Sequence, residues 1–362
     1  MVDASATANR KMPDALRPRH LLVRVAEIAA VIALVVVAIS ALPGLDEVRR
    51  RLQDTDPAWI VALALAEAAS CAGYVVVFRA TFCPSMQWGL SYDIAMAELA
   101  ANSLLPAGGA GGLALGAWAL RRAGMPTGHI ARRTVAFFVV TSAANFFALI
   151  VVGLGVFAGV IPGYQSTLLT LVPALITALG VVLVILSPRL LRALGQRGDD
   201  GGGRRVWRLL REALIASSDG VEQAIALLRE RNFGVVAGSF AYMAFDIAAL
   251  ACGFAAVGDV PAFGTLVIGY LIGQLGNLIP LPGGIGGTEG ALIGVFALMH
   301  VNVADATAAV LVYRLFQLAV PSLLGTPAFV FLRRKLLHTD RPAQLCAPLA
   351  DAVEVVQLPA SS

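Results

Sequence analysis

The chain has 362 residues, 58% of them apolar and 14% charged, with a net charge of +4. Several runs of about 20 apolar residues recur, so a water-soluble fold is excluded and a polytopic helical membrane protein is expected. The basic residues spread along one membrane face without interleaved stacking aromatics, so nucleic acid is not an expected partner.

A leader at 1–21 carries Arg10, Lys11, Arg17 and Arg19, and Arg24 follows. The run after it resembles a signal peptide, with Ala38-Ile39-Ser40 as a cleavage-like site. The leader is long and Glu27 interrupts the run, so an uncleaved first helix is the expectation. Full-length spans are predicted near 22–42, 58–80, 134–159, 167–187, 234–257 and 305–332. Two further apolar regions are broken. The first, about 91–122, has arms 92–105 and 112–122 around Leu105-Pro106-Ala107-Gly108-Gly109-Ala110-Gly111-Gly112. The second, about 263–300, has arms 264–279 and 286–299 around Leu281-Pro282-Gly283-Gly284-Ile285-Gly286-Gly287. Non-helical backbone survives at membrane depth only where protein buries it or a cavity hydrates it, so the breaks mark a pathway or site.

Basic residues choose the topology. If both broken regions are re-entrant hairpins and the N-terminus is cytoplasmic, 23 of the 27 basic residues lie inside. Arg49, Arg50 and Arg51 fall outside, offset by Asp46, Glu47, Asp54 and Asp56, and Arg314 lies within a span. Single broken crossings would instead put the nine arginines of 188–232 outside. The expected fold is therefore an all-α polytopic membrane protein. It has six transmembrane helices and two opposed re-entrant helical hairpins in an inverted repeat, within a transmembrane domain at 22–332. A basic loop at 188–232 and a tail at 333–362 are cytoplasmic, and the expected location is the cell membrane. The loop reads as solvated and topogenic, with 204–230 also able to lie against anionic headgroups. Cys71, Cys83, Cys252 and Cys346 lack CxxC spacing, so no disulfide framework is expected.

The second break reads Asn277-Leu-Ile-Pro280-Leu-Pro282-Gly283-Gly284-Ile285-Gly286-Gly287-Thr288-Glu289, followed by Val310-Leu-Val-Tyr313-Arg314-Leu315. With these residues the chain resembles the lysylphosphatidylglycerol synthase transmembrane-region family, also described as flippase-like, over roughly 20–335. The resemblance implies an integral membrane protein that moves, or helps to move, a lipid across the bilayer. Bifunctional members carry a soluble aminoacyltransferase domain after this region, whereas this chain ends soon after its last span, so it is not expected to make the aminoacylated lipid. Many members also carry a Glu in the first hairpin and an Arg in the following helix. Here those stretches read Gly111-Gly112-Leu113-Ala114 and Val135-Ala-Phe-Phe-Val139.

Ionisable residues deep in a span are functional candidates: Glu67, Glu98, Asp246, Glu289 and Arg314. Arg314 suits bidentate phosphate recognition, and equally a structural ion pair with Glu289. Asp246 and Glu67 are candidates for proton coupling or for neutral structural acids. Polar residues around the breaks supply further candidate headgroup contacts: Glu98 and Asn102, Gln274 and Asn277, then Tyr313 and Gln317, each pair on one helix face. Interhelical hydrogen bonding is the plainer role for these. The break residues Pro106, Gly108, Gly109, Gly111, Pro282, Gly283, Gly284, Gly286 and Gly287 let the backbone approach a headgroup beside a helix N-terminus. Scattered glycines such as Gly73 and Gly180 read as packing residues.

The four histidines lie apart with no metal-ligand spacing, and no catalytic constellation or cofactor motif is present in the sequence. The expectation is a non-enzyme that needs no metal or cofactor and translocates an anionic lipid of phospholipid or polyprenyl-phosphate type. Two other classes stay open: an accessory subunit that presents a lipid to a separate lipid-modifying transferase, and a proton-coupled small-solute carrier.

Overall fold

Asp56 and Pro57 start the first long helix: the Asp56 carboxylate accepts the Ala58 N–H at 2.9 Å, and Pro57 occupies the first turn, where no donor is needed. The structure is a computed structural model that describes residues 46–104, 110–197, 219–229, 232–278 and 286–338. The expected span at 22–42 lies outside these residues, as do Pro106, Gly108, Gly109, Pro282, Gly283 and Gly284.

The elements are α1 (Asp46–Gln53), α2 (Pro57–Phe82), α3 (Trp88–Leu104), α4 (Ala110–Arg122) and α5 (Thr127–Phe157). A π turn at Thr167–Leu171 leads into α6 (Val172–Arg197), and residues 219–229 form α7. Then come α8 (Phe233–Val257), α9 (Phe263–Gly273) with a 3-10 extension at Gln274–Leu278, α10 (Gly287–Leu298) and α11 (Val303–His338). The described residues hold five helices long and apolar enough to cross a membrane, at Pro57–Phe82, Thr127–Phe157, Thr167–Leu186, Phe233–Val257 and Val303–Leu336. The segment 188–232, expected as a loop, begins and ends in helix. The chain after Ser187 is rich in leucine, which extends α6 to Arg197.

The short helices fold back on each other in pairs. A Cβ on Gly112 would lie 2.6 Å from the Glu98 carbonyl, and one on Gly116 would lie 2.7 Å from the Glu98 carboxylate, so α3 and α4 run antiparallel in close contact. Gly269 faces Phe296 and Gly273 faces Leu292, which sets α9 and α10 antiparallel in the same way. The four short helices thus form two antiparallel pairs. Asp93 on α3 pairs with Lys335 at one end of α11, while α10 ends beside the other end of α11, where Arg51 pairs with Asp305 at 2.9 Å.

The order long helix, two short arms, long helix occurs twice, as α2 to α5 and α8 to α11. The two leading helices, α2 and α8, pack against each other antiparallel. A Cβ on Gly73 would stand 2.5 Å from the Tyr242 nitrogen, and one on Gly238 would stand 2.6 Å from the Val77 nitrogen. Glycine at both positions is what lets these backbones approach so closely. Further contacts repeat between the halves: α3 lies against α11 as α9 lies against α5, and α2 meets α5 as α8 meets α11. Gly180, by contrast, meets nothing within 4 Å, so its expected packing role is not found.

Asp305 and Lys335 are thirty residues apart on α11, about 45 Å along a helix. That length matches a bilayer including its headgroup layers. α6 packs on α5 and leaves Leu175, Ile176, Leu179, Leu183 and Ile185 exposed, the outward apolar face of a helix at a bundle's rim. One cysteine corrects the sequence-based expectation: Cys83 is disulfide-bonded, with its partner outside the described residues, whereas Cys71 and Cys252 are free. Cys83 is the C-cap of α2.

Candidate functional site

Tyr313, Arg314 and Gln317, on two successive turns of α11, organise the polar interior. Arg314 is only 6% exposed, and its Nε donates to Glu289 Oε1 on α10 at 2.8 Å. Its Nη1 donates to Gln317 Oε1, one turn on along the same helix. The Gln317 amide nitrogen then faces both carboxylate oxygens of Asp246 on α8, at 3.3 and 3.2 Å, and the Tyr313 hydroxyl. A guanidinium is thus linked to a second acid through one neutral amide.

Glu289 serves two partners at once. Its Oε2 accepts the Gly286 N–H at 2.7 Å, capping the helix on which it sits, while its other oxygen holds Arg314. Gly286 has φ +91°, a left-handed conformation that glycine adopts without a Cβ penalty. The carboxylate is therefore placed by the turn as much as by the ion pair.

Asp246 is 5% exposed and well supplied with donors. The Tyr270 hydroxyl donates to its Oδ2 at 2.6 Å, and the Tyr313 hydroxyl donates to its Oδ1 at 2.7 Å. Gln274, one turn after Tyr270, donates to the Tyr313 hydroxyl at 3.4 Å. These donors satisfy both oxygens of a buried acid.

Glu67 on α2 is different. It is 4% exposed, and its Oε2 is buried with no hydrogen-bond partner. Its place follows from the α2–α8 register: Ser70 donates to the Tyr242 carbonyl at 2.9 Å, so Glu67, one turn earlier, comes level with the turn that carries Asp246. Asp246 and Arg314 are both within electrostatic reach of it. Among the described residues, Glu67 is the side chain from the first half that enters this cluster; Asp246, Tyr270, Gln274, Glu289, Tyr313, Arg314 and Gln317 all come from the second.

The model of the lysylphosphatidylglycerol synthase TM region matches residues 24–325, which includes both pairs of arms and the site. The chain belongs to that family. A relative described as a UPF0104 membrane protein, from Methanothermobacter thermautotrophicus, is 34% identical over 99 residues. That match covers 27% of this chain and 28% of the relative. Family membership and the five apolar helices make the protein a multi-pass membrane protein with a membrane-lipid context.

The candidate residues separate into two groups. Arg314, Glu289, Tyr313, Gln274, Asp246 and Glu67 converge, with Gly286 and Gly287 at the start of α10 beside them. Glu98 and Asn102 belong to the other pair of arms. The Asn102 side chain accepts the Gly112 N–H at 3.0 Å, and Glu98 partners the Tyr74 hydroxyl. Gly111 lies within α4 and Asn277 within the 3-10 turn. A link between the groups runs through rings: Tyr74 meets Tyr242 edge-on with centroids 5.3 Å apart. Tyr270 was not singled out from sequence, although its i, i+4 spacing to Gln274 was a usable signal.

Proposed function

We propose that the protein translocates a lipid with an anionic headgroup, of phospholipid or polyprenyl-phosphate type, across the cell membrane, acting as a transporter and not as an enzyme. The observation that carries this reading is Arg314. It sits nine residues, about 14 Å, in from Asp305, about a third of the way along the stretch that ends at Lys335 and so inside the hydrocarbon core. A buried cation at that depth is costly and marks a substrate or ion path by default. Its planar donors match a phosphate. Glu289 and Gln317 occupy those donors in the resting arrangement, and both are replaceable partners: one is held by its own helix cap, the other is a neutral amide.

The two pairs of arms act as opposed re-entrant hairpins of an inverted repeat, with the glycine breaks near the midplane. The antiparallel α2–α8 seam and the matching contacts of the two halves support this. With the N- and C-termini cytoplasmic, the Lys335–Asp93 end faces the cytoplasm and the Arg51–Asp305 end faces outward. The lipid tails stay in the bilayer while the headgroup passes along the site, its charge met by Arg314.

The test is reconstitution into liposomes with fluorescent phospholipid or polyprenyl-phosphate analogues, with an impermeant quencher reporting the outer leaflet. Translocation that is lost in Arg314→Gln supports the reading. Its absence in wild type, together with a co-purifying transferase, would replace it with lipid presentation.

A further inference from the structure

We infer that Glu67 is a proton-binding site whose occupancy is linked to the headgroup on Arg314, so that one proton accompanies the anionic headgroup through the site. This rests on the lipid reading above and adds its coupling ion.

The argument starts from charge. Glu67, Asp246 and Glu289 surround one guanidinium, Arg314. Three carboxylates and one cation cannot all stay ionised in a buried setting without a large penalty, because an uncompensated buried charge costs several kcal/mol. Hydrogen bonding decides which acid carries the proton. Asp246 receives donors at both oxygens from Tyr270, Tyr313 and Gln317, and Glu289 receives the Gly286 N–H and Arg314. Glu67 has a buried oxygen with no donor at all. A carboxyl that lacks a donor for one oxygen is the one that is neutral.

The groups facing Glu67 make its charge matter. From α8 come Asp246 and Tyr242, from α9 Tyr270, and from α11 Tyr313 and Arg314; Cys71 lies one turn along α2 itself. Arg314 is the cation of this set, and it is shared. When Glu289 holds Arg314, a charged Glu67 faces an acid and no free counter-ion. When a phosphate takes Arg314, the local charge becomes more negative still, and Glu67 must be protonated for the phosphate to remain. Binding of the anion and binding of the proton therefore favour each other, which is linkage in its elementary form. Glu67 is also the cluster's contribution from the first half, on α2 just past its close approach to α8 at Gly73, so its charge state reports to both halves at once.

The experiment is titration calorimetry of the full-length protein in detergent with dihexanoyl phosphatidylglycerol, a short-chain anionic phospholipid, in buffers of different ionisation enthalpy. At a pH high enough to ionise Glu67 in the lipid-free protein, wild type should take up about one proton per lipid bound, and over that range its affinity should fall about tenfold per pH unit. Glu67→Gln should bind with proton uptake near zero, whereas Asp93→Asn, at the far end of α11 and outside the site, should keep it. Binding by wild type with no proton uptake overturns this inference and leaves the lipid reading in place. Uptake that persists in Glu67→Gln assigns the proton elsewhere and also overturns it. No binding by wild type overturns the lipid reading, and this inference with it. The wild-type buffer comparison needs no variant, so a substitution that fails to fold does not remove the test.

Discussion

Glu289 holds Arg314 with one carboxylate oxygen while the other caps the helix that begins at Gly286. The ion pair is thus tied to the turn at the second glycine break, and a disturbance of either reaches the other. Removing one member of a buried pair leaves the other uncompensated, at a cost of about 3 to 5 kcal/mol. Arg314→Gln and Glu289→Gln should each lower the melting temperature in detergent markedly. The double substitution should recover part of the stability and none of the lipid translocation. Arg314→Lys should assemble yet translocate poorly, because a point charge replaces a planar fork. Full translocation by Arg314→Gln would make the residue purely structural.

Asp246 is predicted to matter through its donors. Asp246→Ala leaves the Tyr270 and Tyr313 hydroxyls without their acceptor, each at about 1 to 3 kcal/mol. Adding Tyr270→Phe and Tyr313→Phe to Asp246→Ala should therefore restore stability relative to Asp246→Ala alone. Melting curves of the three proteins check this, and further loss in the triple variant would contradict it.

Gly325 fixes the distance between α11 and α3. A Cβ there would lie 2.1 Å from the Met96 carbonyl oxygen, backbone that cannot swing aside. Gly325→Val should cost about 2 kcal/mol or more and reduce the yield of folded protein. Gly294→Ala is the control, since nothing lies within 4 Å of that position, and its effect should stay within about 1 kcal/mol.

The Lys335–Asp93 pair is unequal. Lys335 is mostly in solvent and Asp93 is mostly buried, with side-chain exposures of 56% and 9%. Asp93→Asn should then cost under about 1 kcal/mol, because the freed lysine is already hydrated. Lys335→Ala should cost more, since a largely buried carboxylate loses its partner. Equal losses would show that the pair behaves as an ordinary surface contact.

Topology is testable by impermeant thiol reagents on intact cells. Asp54→Cys, exposed before α2, should label from outside, and Thr127→Cys, exposed at the start of α5, should label only after permeabilisation. The reverse pattern would invert the assignment of faces and the direction of the proposed path.

The long spans and the short arms were legible because apolar run length is set by bilayer thickness; most described helices begin and end near the expected bounds, while α5 starts earlier at Thr127 and α6 runs on to Arg197. Arg314, Glu289, Asp246 and Glu67 stood out because a charge inside an apolar run is rare. Their division of labour was not legible. Which acid is fully bonded depends on Tyr270 and Tyr313 reaching it from two other helices, and the local pattern does not say which acid a tyrosine reaches. Nor could one chain show that Asn102 finds its partner on α4 and Glu98 finds its own on α2, or that Gly73 faces Tyr242 and Gly238 faces Val77 across α2 and α8. Those facts belong to the register between helices, which hydropathy does not encode.

α11 is fastened at both ends, by Asp305 to α1 and by Lys335 to α3, about 45 Å apart. A helix pinned in this way cannot change its tilt freely to suit its surroundings. The pins act as a ruler: in a thinner or thicker bilayer the mismatch is passed to the lipid or to the shorter arms packed beside it, at fractions of a kcal/mol per Å. Membrane thickness is thereby a property to which this fold responds, and the composition of the host bilayer becomes part of its working parts.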